Sequence, residues 1–211
     1  MMKKALFPVL AASLLALCAC DVSVNRGRSL ADGGRSNGMS TVNGGIRVGA
    51  GCTVDGGCRT VNGSIRVGND SRVEDLKTVN GRIEIGAGVR VDGDAETVNG
   101  SFSAGARSEV RGRVTTVNGR IELAGAAVNH DVATVNGDVL LRDGSVVRGD
   151  IVIRGRRGFF SGIRRLEIRL EGGSRLEGGI DVRDPGNEVT VHVSRDSEIR
   201  GQVRNAKVIK E

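Results

Sequence analysis

The sequence predicts an all-β protein, namely a single-stranded parallel β-helix (a solenoid). The tetrapeptide Thr-Val-Asn-Gly recurs at intervals of 18 or 19 residues, beginning at Thr41, Thr60, Thr78, Thr97, Thr116 and Thr134. A fixed period of this length is typical of a chain wound into stacked coils, and the pattern extends to about eight coils. The chain has 33 glycines in 211 residues and only 2% aromatic residues, so its interior must consist of small aliphatic layers joined by frequent corners. Right-handed winding is expected, because strand crossovers generally have that hand.

Aliphatic residues recur at fixed offsets within each repeat and define the predicted inward columns. The first column is the valine after each threonine, from Val42 to Val135, and the second begins at Ile46. Two further columns begin at Val48 and Val54. Alternation at i and i+2 is strand periodicity, so each coil should contain short strands with these columns facing inward. The threonines are then expected on the exposed side of the strand.

An asparagine and a glycine follow each valine and mark a corner of the coil. Glycine is expected there because Asn-Gly pairs readily adopt positive φ. The stacked amides should hydrogen-bond from coil to coil, which is the structural interpretation of the column. A polar ladder that binds a glycan is the functional alternative. The column comprises Asn43, Asn62, Asn80, Asn99, Asn118 and Asn136.

The repeat continues in degenerate form after residue 150. Val152-Ile153-Arg154-Gly155 replaces the tetrapeptide, and Ile168 restarts the inward spacing. Two extra segments, near residues 155–165 and 184–188, interrupt the rhythm after an opening strand. Both should therefore project from the same corner, and insertions on one face of a repeat protein often mark its binding side.

The N-terminal residues have the pattern of a lipoprotein signal peptide, residues 1–19. Lys3 and Lys4 precede an apolar run that is short for a membrane span. The run ends in Leu17-Cys18-Ala19-Cys20, which resembles a bacterial lipobox and implies lipidation of Cys20. An ordinary cleaved signal peptide is the alternative. Residues 20–40 lack periodicity and are expected to form a lipid-anchored flexible tether, and residues 41–211 the β-helix domain.

The motif Thr-Val-Asn-Gly-x-Ile-x-Val resembles the glycine-rich repeat of a bacterial adhesin repeat family, whose members are often secreted or lipid-anchored. This resemblance covers roughly residues 41–150. Residues 134–153 are also similar to bactofilins, which are polymer-forming β-helical cytoskeletal proteins. Bactofilins are typically cytosolic, and the signal peptide departs from that pattern. Neither resemblance supplies catalytic residues.

Cys52 and Cys58 lie six residues apart in the first full repeat. Each shares a column with small or apolar residues, so both fit the core as free thiols. In an oxidising envelope they could instead form a disulfide that closes this end of the solenoid. Two thiols without a nearby histidine are too few ligands for a structural zinc site, so no metal is expected.

Catalytic and nucleic-acid-binding patterns are not found in the sequence. His130 and His192 belong to different coils and no nucleophile motif is present, so the chain is expected not to be an enzyme and to need no cofactor. A polysaccharide-degrading enzyme with carboxylates such as Asp55, Asp92 or Asp94 is a third hypothesis. Without Lys3 and Lys4, 29 basic and 25 acidic residues are interspersed, which argues against nucleic-acid binding.

The first insertion combines cations with two aromatic rings and is the candidate partner-contact loop. Such a composition suits an envelope protein, a glycan or an anionic lipid. The alternative is that the rings cover the flank of the rod. The loop residues are Arg156, Arg157, Phe159, Phe160, Arg164 and Arg165.

These patterns together predict a lipid-anchored cell-envelope protein that faces the periplasm or the cell surface from the inner or outer membrane. Its expected role is structural or adhesion-like binding. Self-association into a polymer is the alternative, because a β-helix has open strand edges at both ends.

Overall fold

The computed structural model describes residues 22–155, 164–183 and 186–211, and these residues contain only strands, turns and irregular segments. Their strands form three parallel sheets that stack as a solenoid of about nine turns, so the predicted fold class is confirmed and the number of coils is slightly larger than expected. The chain passes through sheets A, B and C in that order once per turn. Right-handed winding stays a prediction.

Sheet A contains the Thr-Val-Asn-Gly segments. Its strands are β1 (Val22–Ser23), β4 (Met39–Asn43), β7 (Cys58–Asn62), β10 (Leu76–Asn80), β13 (Ala95–Asn99), β16 (Val114–Asn118), β19 (Val132–Thr134), β22 (Ile151–Ile153), β25 (Ile180–Val182) and β28 (Val203–Arg204).

Sheet B follows sheet A after a short corner in most turns. Its strands are β2 (Arg28–Leu30), β5 (Ile46–Val48), β8 (Ile65–Val67), β11 (Ile83–Ile85), β14 (Phe102–Ala104), β17 (Ile121–Ala124), β20 (Val139–Arg142), β23 (Arg164–Leu170), β26 (Asn187–Val193) and β29 (Lys207–Lys210).

Sheet C consists of two-residue strands. They are β3 (Arg35–Ser36), β6 (Thr53–Val54), β9 (Arg72–Val73), β12 (Arg90–Val91), β15 (Glu109–Val110), β18 (Ala127–Val128), β21 (Val146–Val147), β24 (Arg175–Leu176) and β27 (Glu198–Ile199).

Three of the four predicted inward columns form the core. One column runs from Ile46 to Val139, the second from Val48 to Leu141 and the third from Val54 to Val147. Every side chain in these three columns is at most 4% exposed. Phe102 is the largest of these side chains and is 1% exposed. Burial of many aliphatic side chains in a continuous column is the main favourable contribution to stability in such a fold.

The column of valines after the threonines was assigned to the wrong side of its strand. Val42 and its equivalents up to Val117 are half-buried on the outer face, and only Val135 is fully buried. The threonines face inward instead and are 0–3% exposed. Strand alternation gives the reason, because Cys58 and Leu76 already occupy inward positions two residues before Thr60 and Thr78.

Five of the six buried motif threonines, all except Thr134, donate their hydroxyl to a carbonyl oxygen in the turn before them. Thr60 Oγ1 donates to the Gly44 carbonyl oxygen at 2.9 Å, and Thr116 Oγ1 donates to that of Gly100 at 3.0 Å. Thr41, Thr78 and Thr97 make the equivalent bond. A buried hydroxyl needs such a partner, so threonine satisfies both the core and the corner backbone.

The glycine after each asparagine is required for close packing of successive turns. The expected positive φ is not the general reason, because Gly119 alone of the six motif glycines has one, at +157°. A Cβ added to Gly63 or Gly100 would overlap the backbone carbonyl of the preceding turn. Left-handed backbone occurs instead at the corner between sheets B and C, where Gly51 and Gly88 have φ of +63° and +66°. Arg107 adopts the same conformation with φ of +59°.

The predicted flexible tether is wrong from residue 22 onward, because these residues form the first turn. Strand β1 pairs with β4, β2 pairs with β5, and β3 pairs with β6. The repeat is hidden in the sequence because Arg28 and Ser36 occupy positions where later turns carry Ile46 and Val54.

Both extra segments lie between a sheet A strand and a sheet B strand. Residues 154–163 separate β22 from β23, and residues 183–186 separate β25 from β26. The register resumes after each of them, with Val139 opposite Ile168 and Ile168 opposite Val191. The solenoid therefore accommodates extra length at one corner without losing its pairing.

Candidate functional site: polar ladders and surface grooves

An asparagine ladder runs along the outside of the solenoid at the end of the sheet A strands. Each Nδ2 donates to the Oδ1 of the asparagine one turn earlier, over distances of 2.6 to 2.9 Å. The predicted ladder of six is confirmed and has a seventh member, Asn25, at φ of +59°. Its members are Asn25, Asn43, Asn62, Asn80, Asn99, Asn118 and Asn136.

The ladder is exposed but most of its hydrogen-bonding capacity faces along the rod. An interior member such as Asn80 donates to Asn62 and accepts from Asn99. An amide has two donors and one acceptor oxygen, so each member keeps one N–H for solvent or a ligand. The arrangement favours the structural interpretation over a glycan-binding ladder, because a ligand would compete with bonds already made.

Ion pairs between successive turns cover the outer faces. Arg66 Nε lies 2.6 Å from Glu84 Oε2 on sheet B, and Arg35 Nε lies 2.7 Å from Asp55 Oδ2 on sheet C. Hydrogen bonds from these arginines lower the pKa of Glu84 and of Asp55 below their ordinary values. The pairs are solvent-exposed, so each contributes little to stability and mainly keeps the surface polar.

The carboxylates considered for catalysis are engaged by arginines or backbone groups. Asp55 accepts two hydrogen bonds from Arg35, and Asp92 pairs with both Arg72 and Arg111. Asp94 Oδ1 accepts from the Arg113 amide at 2.7 Å. A general acid needs a raised pKa, whereas the hydrogen bond from Arg35 lowers the pKa of Asp55. Such contacts are typical of structural ion pairs.

Neither histidine belongs to a cluster of ligands. His192 Nδ1 lies 2.7 Å from Glu211 Oε1 near the C-terminal end, and His130 is exposed on another turn. Across residues 22–155, 164–183 and 186–211, no group of three or more histidine, cysteine, aspartate or glutamate side chains is arranged to hold a metal ion.

Cys52 and Cys58 are free, buried thiols, so the structure does not contain the disulfide considered between them. Cys52 Sγ donates to the Ala31 carbonyl oxygen at 3.0 Å in the preceding turn. Cys58 begins a sheet A strand and is fully enclosed, and burial raises its pKa to about 12. Cys52 faces the core from the corner before β6 and Cys58 from sheet A, and both sulfurs serve here as small apolar side chains.

The predicted lipidation site, Cys20, lies outside the described residues, as do most residues of the partner-contact loop: Arg156, Arg157, Phe159 and Phe160. The last two members of that loop begin strand β23. Arg164 and Arg165 are exposed there, and Arg165 Nε lies 3.2 Å from Glu188 Oε2. Lipidation and partner contact both stay predictions.

Two grooves on the outer side of sheet B were not found from the sequence. The first, termed the basic groove, has a volume of about 270 Å³ and is lined by residues that include Arg28, Arg47 and Arg66. The second, termed the mixed groove, has a volume of about 280 Å³ and is lined by residues that include Glu167 and Arg169. Each groove is lined by outward residues of different turns, which are about 18 or more positions apart in the sequence, and the sequence alone does not show which of them become neighbours.

No protein-family model matches this chain, and no curated protein or solved structure is significantly similar to it. Its class therefore follows from the architecture, which is a parallel β-solenoid with a continuous aliphatic core and an external asparagine ladder. Within the described part of the chain, no helix has the length and apolar character required to cross a bilayer.

Proposed function

We propose that the protein is a lipid-anchored, non-catalytic β-solenoid of the bacterial cell envelope with a structural or adhesion-like binding role. The observation that carries the proposal is the lipobox-like sequence Leu17-Cys18-Ala19-Cys20 directly before the solenoid. Strand β1 begins at Val22, so an acyl chain on Cys20 would hold the first turn close to the membrane surface. The rod would then present its lateral faces to the surrounding envelope.

Cellular fractionation tests the anchor. The wild-type protein should sediment with membranes, and Cys20→Ala should be released, because one thioether-linked lipid group would be lost. Cys18→Ala is the matched control and should stay with the membranes. Sedimentation of Cys20→Ala with the membranes to the same extent as wild type would contradict lipid anchoring.

The adhesion-like role includes the loop at the first insertion as a contact surface. Replacing Phe159 and Phe160 by serine should weaken crosslinking of the loop to envelope components while the melting temperature stays within about 2 °C of wild type, as for surface changes. A large loss of stability would show instead that the rings pack against the rod.

A polymer-forming structural protein is the second candidate, favoured by partly exposed apolar residues in the last described turns. Val208 is in register with the core residue Val191 but is 42% exposed, and Ile199 and Val203 are only partly buried. Open strand edges next to apolar residues can template stacking of another copy. Light scattering that grows with protein concentration and disappears in Val208→Lys, but not in Val79→Lys on the lateral face, would support this candidate.

The third hypothesis, a polysaccharide-degrading enzyme, has a direct test. Activity on a panel of polysaccharides that is lost in Asp55→Asn or Asp92→Asn would replace the non-catalytic proposal. The proposal expects no turnover by any of the three proteins.

A further inference from the structure

The basic groove crosses three successive turns on the outer side of sheet B. Its lining includes Gly27, Arg28, Ser29, Arg47, Ser64 and Arg66. The corner residues stack directly, since the Arg28 amide donates to the Gly45 carbonyl and the Ile46 amide donates to that of Ser64. The corner residues of these three turns are Gly27, Gly45 and Ser64, and their small size leaves the floor of the groove open to a ligand. The equivalent residue of the next turn is the large Arg82.

The positive charge of Arg47 is not neutralised by an ion pair. Among the described residues, none of those that line the groove is acidic. Arg47 is exposed, lies in register between Ser29 and Arg66, and has no ion pair with any residue in the described part of the chain. Neighbouring strands are about 4.8 Å apart, and like charges at that spacing repel each other. Arg66 is compensated by Glu84 on its other side, but Arg47 is not.

The mixed groove is an internal comparison at the same face of the rod. Two arginines there, Arg120 and Arg169, meet three carboxylates, Asp138, Glu167 and Glu171. Arg169 Nη2 lies 2.9 Å from Glu167 Oε2, and Arg120 Nη2 lies 3.6 Å from Asp138 Oδ2. The fold therefore supplies carboxylate partners to outward arginines in that groove and omits them around Arg47.

A shallower hollow of about 440 Å³ lies on the other side of Arg47 and Arg66 and does contain acidic residues. Its two carboxylates already have partners: Asp32 Oδ1 accepts from the Ala50 amide at 2.9 Å, and Glu84 pairs with Arg66 and Arg82. Neither carboxylate pairs with Arg47. The side of Arg47 that faces the basic groove is thus the one suited to an external anion.

We propose that the basic groove binds the carboxylate groups of an acidic polysaccharide, with Arg47 as the principal contact. This inference rests on the proposed binding role and names its ligand class. A guanidinium forms two parallel hydrogen bonds to a carboxylate, which suits the exposed Arg47. Ser29 and Ser64 supply hydroxyls that can pair with sugar hydroxyls.

The shape of the site favours a chain-like ligand over a membrane surface. The groove extends across three stacked turns, and glycine or serine occupies each of the corners that line it. Residues that contact a lipid surface usually include apolar side chains that project outward, and no described residue that lines the groove has one, since Ile46 faces the core. A linear acidic sugar chain can lie on the glycine floor with its carboxylates beside Arg47.

Isothermal titration calorimetry with tetragalacturonate tests the proposal. The full-length protein is used at low ionic strength in a nonionic detergent without a sugar headgroup, with maltotetraose as the neutral probe. We expect tetragalacturonate alone to bind, and Arg47→Gln to weaken the affinity at least tenfold. Arg169→Gln in the mixed groove, the matched control, should change the affinity less than twofold. Added salt should weaken binding, because exposed charges are screened.

Ser64→Glu provides a second variant, since it places a carboxylate on the groove floor and should abolish binding. Circular dichroism establishes that each variant keeps the wild-type fold. Three results would each overturn the proposal: no binding of tetragalacturonate by wild type, equal binding of maltotetraose, or an unchanged affinity in Arg47→Gln. Binding of the Cys20→Ala protein to phosphatidylglycerol vesicles without binding of tetragalacturonate would assign the groove to lipid instead. None of these results bears on the fractionation experiment, so failure of the ligand is distinguishable from failure of the anchor.

Discussion

The turns that carry Thr-Val-Asn-Gly and the turns after them have the same sheets but different corners. In the former, from β4 to β19, sheet A has a buried threonine and an external asparagine. In the latter, Ile153 and Val182 take the place of Thr134, and the asparagine ladder ends at Asn136. Parallel pairing continues through both regions.

This difference separates what forms the solenoid from what fixes its corners. The aliphatic core and backbone pairing suffice for the last turns, so the motif is not required for the fold. Where Asn-Gly is present between residues 43 and 137, the corner to sheet B is short, and the longer connections, residues 154–163 and 183–186, follow strands that lack it. The motif therefore specifies a tight corner, and its loss permits insertions.

The largest expected effect is at the glycine of the motif. Gly100→Ala should lower the free energy of unfolding by about 3 kcal/mol, because the added methyl group would overlap rigid backbone at Gly81. Gly51→Ala, at the other corner, has open space and only an unfavourable φ of +63°, so it should cost about 1 kcal/mol. Urea unfolding of both variants measures the difference, and equal losses would contradict the close-approach explanation.

The threonine column gives the next largest effect, with a control inside the motif. Thr116→Val removes the hydroxyl that donates to Gly100 and should cost about 1 kcal/mol. Thr134 is equally buried, but its Oγ1 has no hydrogen-bond partner, so Thr134→Val should be neutral or stabilising. Thermal unfolding compares the two. A similar destabilisation of both variants would mean that the hydroxyl bond does not matter.

A small gain is expected at the corner between sheets B and C. Arg107 is the residue in left-handed conformation where neighbouring turns carry Gly88 and Gly125. Arg107→Gly should raise the free energy of unfolding by about 0.5–1 kcal/mol, because glycine adopts this φ without a steric cost. Urea titration measures the gain, and Arg90→Gly, within a sheet C strand, should be destabilising instead.

The smallest expected effect is at the exposed ladder. Asn99→Ala removes two amide hydrogen bonds that are open to water and should cost about 0.5 kcal/mol. The double variant with Asn80→Ala should cost less than the sum of the single variants, because Asn99 and Asn80 share one bond. A strictly additive loss in chemical denaturation would show that the ladder members act independently.

The sequence period was sufficient to predict the sheet type, the register and most of the core. It failed for the threonine and valine columns, because both residues are β-branched and recur side by side, so hydrophobicity alone selected valine. The apolar residue two positions before each threonine, as in Leu76-Lys77-Thr78, is the signal that would have shown which of the two columns faces the core. The period-2 rule then makes threonine inward and valine outward.

The candidate site was less accessible to prediction from the sequence. Arg47 is one of many arginines along the chain. What distinguishes it is its pairing in register with Ser29 in the turn before and with Arg66 in the turn after. The first of those turns was hidden by Arg28 at an inward position, so residues 22–40 resembled a linker. Without that turn, Gly27, Arg28 and Ser29 cannot be recognised as residues that line the basic groove.

Double electron–electron resonance between nitroxides at Ser29 and Arg169, in a background without Cys18 and Cys20, tests the stacked-turn account most directly. Both positions are exposed and lie on one outward column of sheet B, separated by successive register pairs. Seven steps of about 4.8 Å predict a single narrow distance near 34 Å. A broad distribution, or a maximum below about 20 Å, would contradict a solenoid that begins before Ser29.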